Sequence, residues 1–158
     1  GASYRQDVGD TRYSGSELVV RKLTEMGAEV SVHDPYVDHW YELERQEEYP
    51  APGQSWSRFF RNQDDLTNIH VQQDLEAALH GAEAVILAVP HEAYRELAPE
   101  QVVEWAGNPL AVIDCFGILS DEQIRTYFSL GCEVKALGRG HIQRIKEKVR
   151  TEKLQAAL

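Results

Sequence analysis

The feature that most constrains this chain is the regular return of short apolar runs, each followed by a stretch of helical pattern. Ala84-Val-Ile-Leu-Ala-Val89 is a continuous apolar run, the composition of a strand covered on both faces of a parallel sheet. Leu110-Ala-Val-Ile113 predicts a further buried strand and Glu133-Val-Lys-Ala-Leu137 the last one. Helices are expected between them, over 99–106 and from Ser120 to Leu130. Upstream, Ser14 opens a Ser-x-x-Glu capping box with Glu17. Leu18, Val19, Val20, Leu23 and Met26 then predict an apolar helix face that stops at Gly27. Val30-Ser-Val32 predicts a short strand closed by Asp34-Pro35, and Ile69-His-Val71 an edge strand. Asp74 caps a short helix from Leu75 to Leu79, ended by Gly81. Strands separated by helices of this length predict a doubly wound, mostly parallel α/β sheet.

A length of 158 residues fits one domain, 1–158. Two segments depart from its rhythm. Residues 36–67 hold Trp40, Tyr41, Tyr49, Trp56, Phe59 and Phe60 among Pro50, Pro52 and Gly53, which predicts an insertion whose aromatics pack onto the sheet. Residues 140–158 predict a basic C-terminal helix. From Arg139 onward six basic residues face two acidic ones, so the rest of the chain carries a charge of −14 out of a total of −10. Ile142, Ile145, Val149 and Leu154 give that helix an apolar stripe for docking, which leaves Lys146, Lys148, Arg150 and Lys153 in solvent. The basic face reads as a solvated surface; holding a partner is the other reading. At the opposite end, the chain starts in a loop that leads straight into a helix. A doubly wound sheet has a strand before such a loop, so a fragment of a longer protein is expected, with the first strand missing. Strands 30–33 and 84–89 would then face a gap, pair directly, or borrow a segment.

The acidic balance argues against a nucleic acid or an anionic membrane as partner. No apolar run reaches the roughly 20 residues a membrane span needs. Cys115 and Cys132 form neither a disulfide framework nor a zinc spacing, so no metal is expected and a cytoplasmic location is.

The opening residues carry a further signal. Gly1-Ala-Ser-Tyr-Arg-Gln-Asp-Val-Gly-Asp-Thr-Arg-Tyr-Ser, a helix, then Gly27-Ala-Glu-Val and His33-Asp34-Pro35 resemble the C-terminal domain of the UDP-glucose/GDP-mannose 6-dehydrogenase family. There the pattern is roughly Gly-x-Ala-Tyr-Lys-x-Asp-x-x-Asp-x-Arg-x-Ser, with a strand ending in Tyr-Asp-Pro. Leu75 to Ala84, Asp114 and Leu137-Gly-Arg-Gly are similar to later parts of the family pattern. The resemblance implies a Rossmann-like, nucleotide-sugar-binding domain of a larger enzyme of polysaccharide biosynthesis. That enzyme oxidises the C6 alcohol of a UDP-sugar or GDP-mannose to a uronate with NAD as cofactor. It also implies partners: the N-terminal and central domains of the same enzyme, which hold most of the NAD site and the catalytic Cys, and further copies in a homo-oligomer. This fragment alone is expected to be inactive, with no catalytic residue of its own.

The first loop suits a diphosphate on physical grounds as well. Arg5 and Arg12 flank the start of a helix whose first turn offers free N–H groups and a positive dipole end. By resemblance, Tyr4 and Arg5 stand at the substrate contacts, with Arg5 in place of the family's Lys. Arg12 stands at the position of an Arg that reaches toward NAD; pairing with Asp7 or Asp10 is its alternative role. Where the family places an Arg shortly after the strand that ends in Asp114, this chain has Phe116 and Gly117. These two, with His91 beyond Val89-Pro90, form a possible pocket at the carboxyl ends of the strands. Cys115 reads as a buried core thiol. Two other functions stay open. One is a stand-alone, non-catalytic binding or regulatory module; the other is a small hydrolase built on Cys115 and His91.

Overall fold

A computed structural model describes residues 1–45 and 64–157. Among the described residues thirteen elements follow one another, beginning with α1 (Gly15–Glu25), β1 (Val32–His33) and α2 (Tyr41–Glu44). A 3₁₀ turn (Asp64–Asn68), β2 (Val71–Gln72) and α3 (Leu75–Leu79) come next. Then come β3 (Ala84–Leu87), α4 (Glu92–Arg95), α5 (Pro99–Ala106) and β4 (Ala111–Asp114). The described chain closes with α6 (Asp121–Ser129), β5 (Glu133–Ala136) and α7 (Ile142–Ala156). Every strand pairing among the described residues is parallel, and the fold is a Rossmann-like α/β fold. No helix among the described residues is long and apolar enough to cross a membrane.

Two compact units divide the chain, Gly1–Ala78 and Leu79–Leu158. In the first, β1 pairs with β2, Val32 opposite Val71. Trp40, Leu43 and Leu66 are fully buried there beside Val20, Val32, Val37, Ile69 and Val71. Trp40 therefore packs as the sequence predicts, whereas Tyr41 stays 45% exposed. Tyr49, Trp56, Phe59 and Phe60 lie outside the described residues. In the second unit the strand order is β3-β4-β5, in register from Ala84↔Ala111↔Glu133 to Leu87↔Asp114↔Ala136.

Local chemistry sets most boundaries. Ser120 and Gln123 form the reciprocal capping box of α6, Pro99 starts α5, and Gly107 ends it in the left-handed conformation (φ 75°). Asp74 Oδ1 accepts the Glu76 and Ala77 N–H groups at the start of α3.

Two expectations are corrected. The run from Ala84 is half-buried instead of covered on both faces, because β3 is an edge strand of its sheet. Helix α1 turns a different face inward from the one its apolar residues predict. Ser16, Glu17, Val20 and Arg21 are buried, while Leu18 and Met26 are 53% and 72% exposed. Glu17 does not complete a capping box: its Oε1 accepts from Arg21 Nε and Nη2, both at 2.8 Å. Arg21 also donates to the Glu42 carbonyl at 3.2 Å, so an ion pair faces inward where an apolar stripe was expected.

Helix α7 docks on α6 and β5 through buried Ile142 and Val149, with Leu154 left 62% exposed. Lys146 Nζ pairs with Glu133 at 2.6 Å, Arg125 pairs with Glu152, and Lys148 and Arg150 face solvent. Deleting residues 141–158 is expected to lower stability by about 3 kcal/mol, the worth of two buried aliphatic side chains. An unchanged urea midpoint after that deletion would contradict the docking.

Candidate functional site

The loop over residues 1–14 is held at several points by buried polar groups. Its start is tied to the end of β1 by the fully buried Asp34 carboxylate. Oδ2 accepts from Ala2 N–H at 2.7 Å, Ser3 N–H at 3.0 Å and the Ser3 hydroxyl at 2.8 Å, while Oδ1 accepts from Tyr36 N–H at 2.9 Å. Tyr4 N–H crosses the loop to the Asp10 carbonyl at 2.6 Å. Near the exit, Thr11 Oγ1 donates to buried Glu42 Oε2 at 2.8 Å and Ser14 Oγ to the Ser3 carbonyl at 3.1 Å.

Two non-glycine residues in this loop hold positive φ, Asp7 at 55° and Tyr13 at 62°. Each such conformation costs on the order of 1 kcal/mol and persists only where the surroundings over-determine it. The loop also passes so close to the turn after β1 that a Cβ on Gly9 would stand inside the Tyr36 carbonyl oxygen.

Outward, this frame presents two aromatic rings and the side chains of Arg5, Asp7, Asp10 and Arg12. Tyr4 is 60% exposed, Tyr13 69%, and Arg5 is exposed with no hydrogen bond or ion pair to a described residue. Beyond it, Ser14 Oγ caps α1 by accepting from Ser16 N–H at 3.2 Å. Arg12 is engaged: its N–H and Nε donate to Asp10 Oδ1 and its Nη2 to Asp10 Oδ2 at 2.7 Å. The Arg12 hydrogen bonds hold the Asp10 carboxyl down to about 2. Arg5, unlike Arg12, thus keeps its donors for a ligand.

In the second unit, Asp114 is fully buried and folds the loop after β4 around itself. It accepts from Phe116 and Ile118 N–H at 3.1 Å and from Leu119 N–H at 3.0 Å. Phe116 is left 59% exposed, and Gly117 turns with φ 67°. His91 is fully buried, with its ring edge-on to Tyr94 at 5.3 Å. Cys115 is half-buried, and burial followed by the Asp114 charge raises its thiol pKa, the opposite of an activated nucleophile. Among the described residues no cluster of His, Cys, Asp and Glu is placed to hold a metal.

Arg139 was not singled out from the sequence as a site residue. Its Cδ lies 3.6 Å from where a Gly117 Cβ would be, so a cation from the strand end of β5 stands beside a loop that has none of its own. The only sequence signal for it was the Leu137-Gly-Arg-Gly string, 22 positions further along.

A model of the UDP-glucose/GDP-mannose dehydrogenase family, UDP binding domain, matches residues 1–121. The chain belongs to this family. The match includes the anchored first loop and the Phe116–Gly117 turn, and it ends before Arg139. Among curated relatives, UDP-glucose 6-dehydrogenase of Caenorhabditis elegans is 28% identical over 138 residues, 87% of this chain and 26% of the relative. UDP-N-acetyl-D-mannosamine dehydrogenase of Methanococcus maripaludis (strain C7) is 26% identical over 142 residues, 89% of this chain and 26% of the relative. The chain thus spans about a quarter of the length of the relatives it matches. A crystal structure of NDP-N-acetyl-D-galactosaminuronic acid dehydrogenase from Methanosarcina mazei Go1 shares the fold, with a TM-score of 0.67 at 23% identity. That likeness covers 90% of this chain and 24% of that one. As a member of the family, the chain is its UDP-binding domain.

Proposed function

We propose that this domain holds the nucleotide diphosphate of a nucleotide-sugar for an NAD-dependent 6-dehydrogenase, which oxidises the sugar's C6 alcohol to a uronate. The observation that carries this reading is the strained, multiply anchored first loop, which presents Arg5 with its guanidinium uncommitted. A planar guanidinium suits the paired oxygens of a diphosphate, and Tyr4 beside it offers an exposed ring to the sugar or base. Arg12, already neutralised by Asp10, keeps an outward edge for a secondary contact to NAD. Bound NAD supplies the hydride acceptor. The chain lacks a Gly-x-Gly-x-x-Gly loop to cradle the dinucleotide, so its own part is to bind and orient the substrate. The catalytic Cys and most of the NAD site then belong to other domains of the same enzyme.

Calorimetry with UDP-sugar and GDP-sugar on the protein in its natural full length tests this reading. Arg5→Ala removes a charge-assisted partner worth about 1.5–3 kcal/mol, so affinity is expected to fall roughly tenfold to a hundredfold. Arg5→Lys is expected to lose much less, and Arg12→Ala to leave nucleotide-sugar affinity nearly unchanged. Equal affinities for wild type and Arg5→Ala would remove the first loop from the binding site.

A further inference from the structure

Arg5 stands between two anchored points of the first loop, and one residue of the turn after β1 is joined to both. Before Arg5, the Ala2 and Ser3 N–H groups and the Ser3 hydroxyl donate to Asp34 Oδ2. The other oxygen of that buried carboxylate accepts the Tyr36 N–H at 2.9 Å, so the backbone at Tyr36 is fixed to the same group. After Arg5, the Tyr36 carbonyl lies against Gly9, and the Tyr36 hydroxyl donates to the Asp7 carboxylate. Gln6 Nε2 donates to Asp7 Oδ2 at 2.9 Å as well. All of these residues belong to the first unit. Asp7 is the turn residue at φ 55°, a conformation that Gly adopts at no cost and Asn readily. Its negative charge, two residues from Arg5, works against an anionic ligand. What an Asp adds at this corner is an acceptor for Tyr36. The bond is exposed, and water competes for both partners, so it contributes little to folding. Its effect falls on placement: with Ser3 and Asp7 both held, the backbone of Arg5 has a fixed position midway between them.

We propose that Tyr36 is a positioning residue for the nucleotide diphosphate: its hydroxyl, through Asp7, holds the far end of the span that carries Arg5 and so sets where the guanidinium meets the phosphate oxygens. The inference rests on the nucleotide-binding reading of the first loop and adds to it a residue that acts only through Arg5. A guanidinium that grips a diphosphate with two parallel N–H···O bonds tolerates little displacement, because both bonds must align at once. Long side chains also carry much rotamer freedom, so a wandering backbone beneath Arg5 spreads its fork over many positions, few of them productive.

The test is calorimetry with UDP on the protein in its natural full length, with a urea midpoint recorded for each variant. Tyr36→Phe keeps the ring and the backbone contacts and removes only the hydroxyl. UDP affinity is expected to fall about fivefold at an unchanged urea midpoint. In an Arg5→Ala background the same change is expected to cost nothing further, because no guanidinium is left to place. Asp7→Asn and Asp7→Gly remove the same charge and both accept a positive φ, so they differ in the acceptor. Asp7→Asn is expected to bind UDP at least as tightly as wild type, and Asp7→Gly about fivefold more weakly than Asp7→Asn. Wild-type affinity in Tyr36→Phe, with Arg5→Ala still weakened, would overturn the positioning role and leave the first-loop reading standing. So would an undiminished loss from Tyr36→Phe in the Arg5→Ala background, since the hydroxyl would then act without Arg5. No loss in Arg5→Ala would overturn both. If Tyr36→Phe lowers the urea midpoint, the two Asp7 variants decide: a gap between them supports the proposal, and equal affinities overturn it.

Discussion

Asp34→Ala is expected to destabilise the protein by about 4 kcal/mol, among the largest effects of any single side-chain truncation in the first unit. The carboxylate is fully buried and satisfies four donors: the Ala2 and Ser3 N–H groups, the Ser3 hydroxyl and the Tyr36 N–H. A buried donor left without a partner costs about 1–3 kcal/mol, and several orphaned together add to less than their sum because the loop relaxes. That relaxation releases the start of the first loop, so Tyr4 and Arg5 lose their fixed placement and nucleotide affinity falls with stability. Asp34→Asn keeps one acceptor oxygen but turns an N–H₂ group toward donors on the other side, and an intermediate loss is expected. Urea titration monitored by tryptophan fluorescence reads the difference. A change below about 1 kcal/mol for Asp34→Ala would show that the loop is anchored elsewhere.

Gly9→Ala is expected to act through shape alone. The added Cβ falls inside the Tyr36 carbonyl oxygen, a backbone atom that cannot rotate away, so either the loop lifts or the turn after β1 moves. Forced overpacking of this kind costs about 1–3 kcal/mol. Lifting the loop also strains the Tyr4–Asp10 crossing and the hydrogen bond between the Tyr36 hydroxyl and Asp7. Affinity for UDP is therefore expected to drop by more than about tenfold, although Gly9 has no side chain to touch a ligand. Arg5→Ala gives the contrasting pattern, the same loss of affinity at unchanged urea midpoint, because Arg5 is exposed. Wild-type stability and affinity in Gly9→Ala would mean that the loop and the turn are free to separate.

The sequence determined the local elements well. Capping residues and glycine stops located α3, α5 and α6 to within a residue, because these signals act over a single turn and need no distant partner. The continuous apolar runs likewise identified β3, β4 and β5 and, with the helices between them, their parallel pairing. The string from Gly1 to Ser14 was legible as a family signature, and the family match covers it. Which arginine stays uncommitted was not legible: Asp7 and Asp10 were equal partners for Arg12 on paper, and the bidentate geometry at Asp10 decided it.

Tertiary structure alone decided the rest, wherever an outcome depended on residues far apart in the chain. The rotation of α1 about its axis turns on Arg21 reaching the Glu42 carbonyl, so a stripe of Leu and Met lost to an ion pair that periodicity cannot weigh. Half-burial of β3 follows from its place at a sheet edge, a property of strand order and not of composition. Gly9 matters because the turn after β1 runs beneath it, and Arg139 because β5 ends beside β4. Sequence fixes what each residue offers to its neighbours along the chain; which distant backbone or side chain takes up the offer is settled only when the chain has folded.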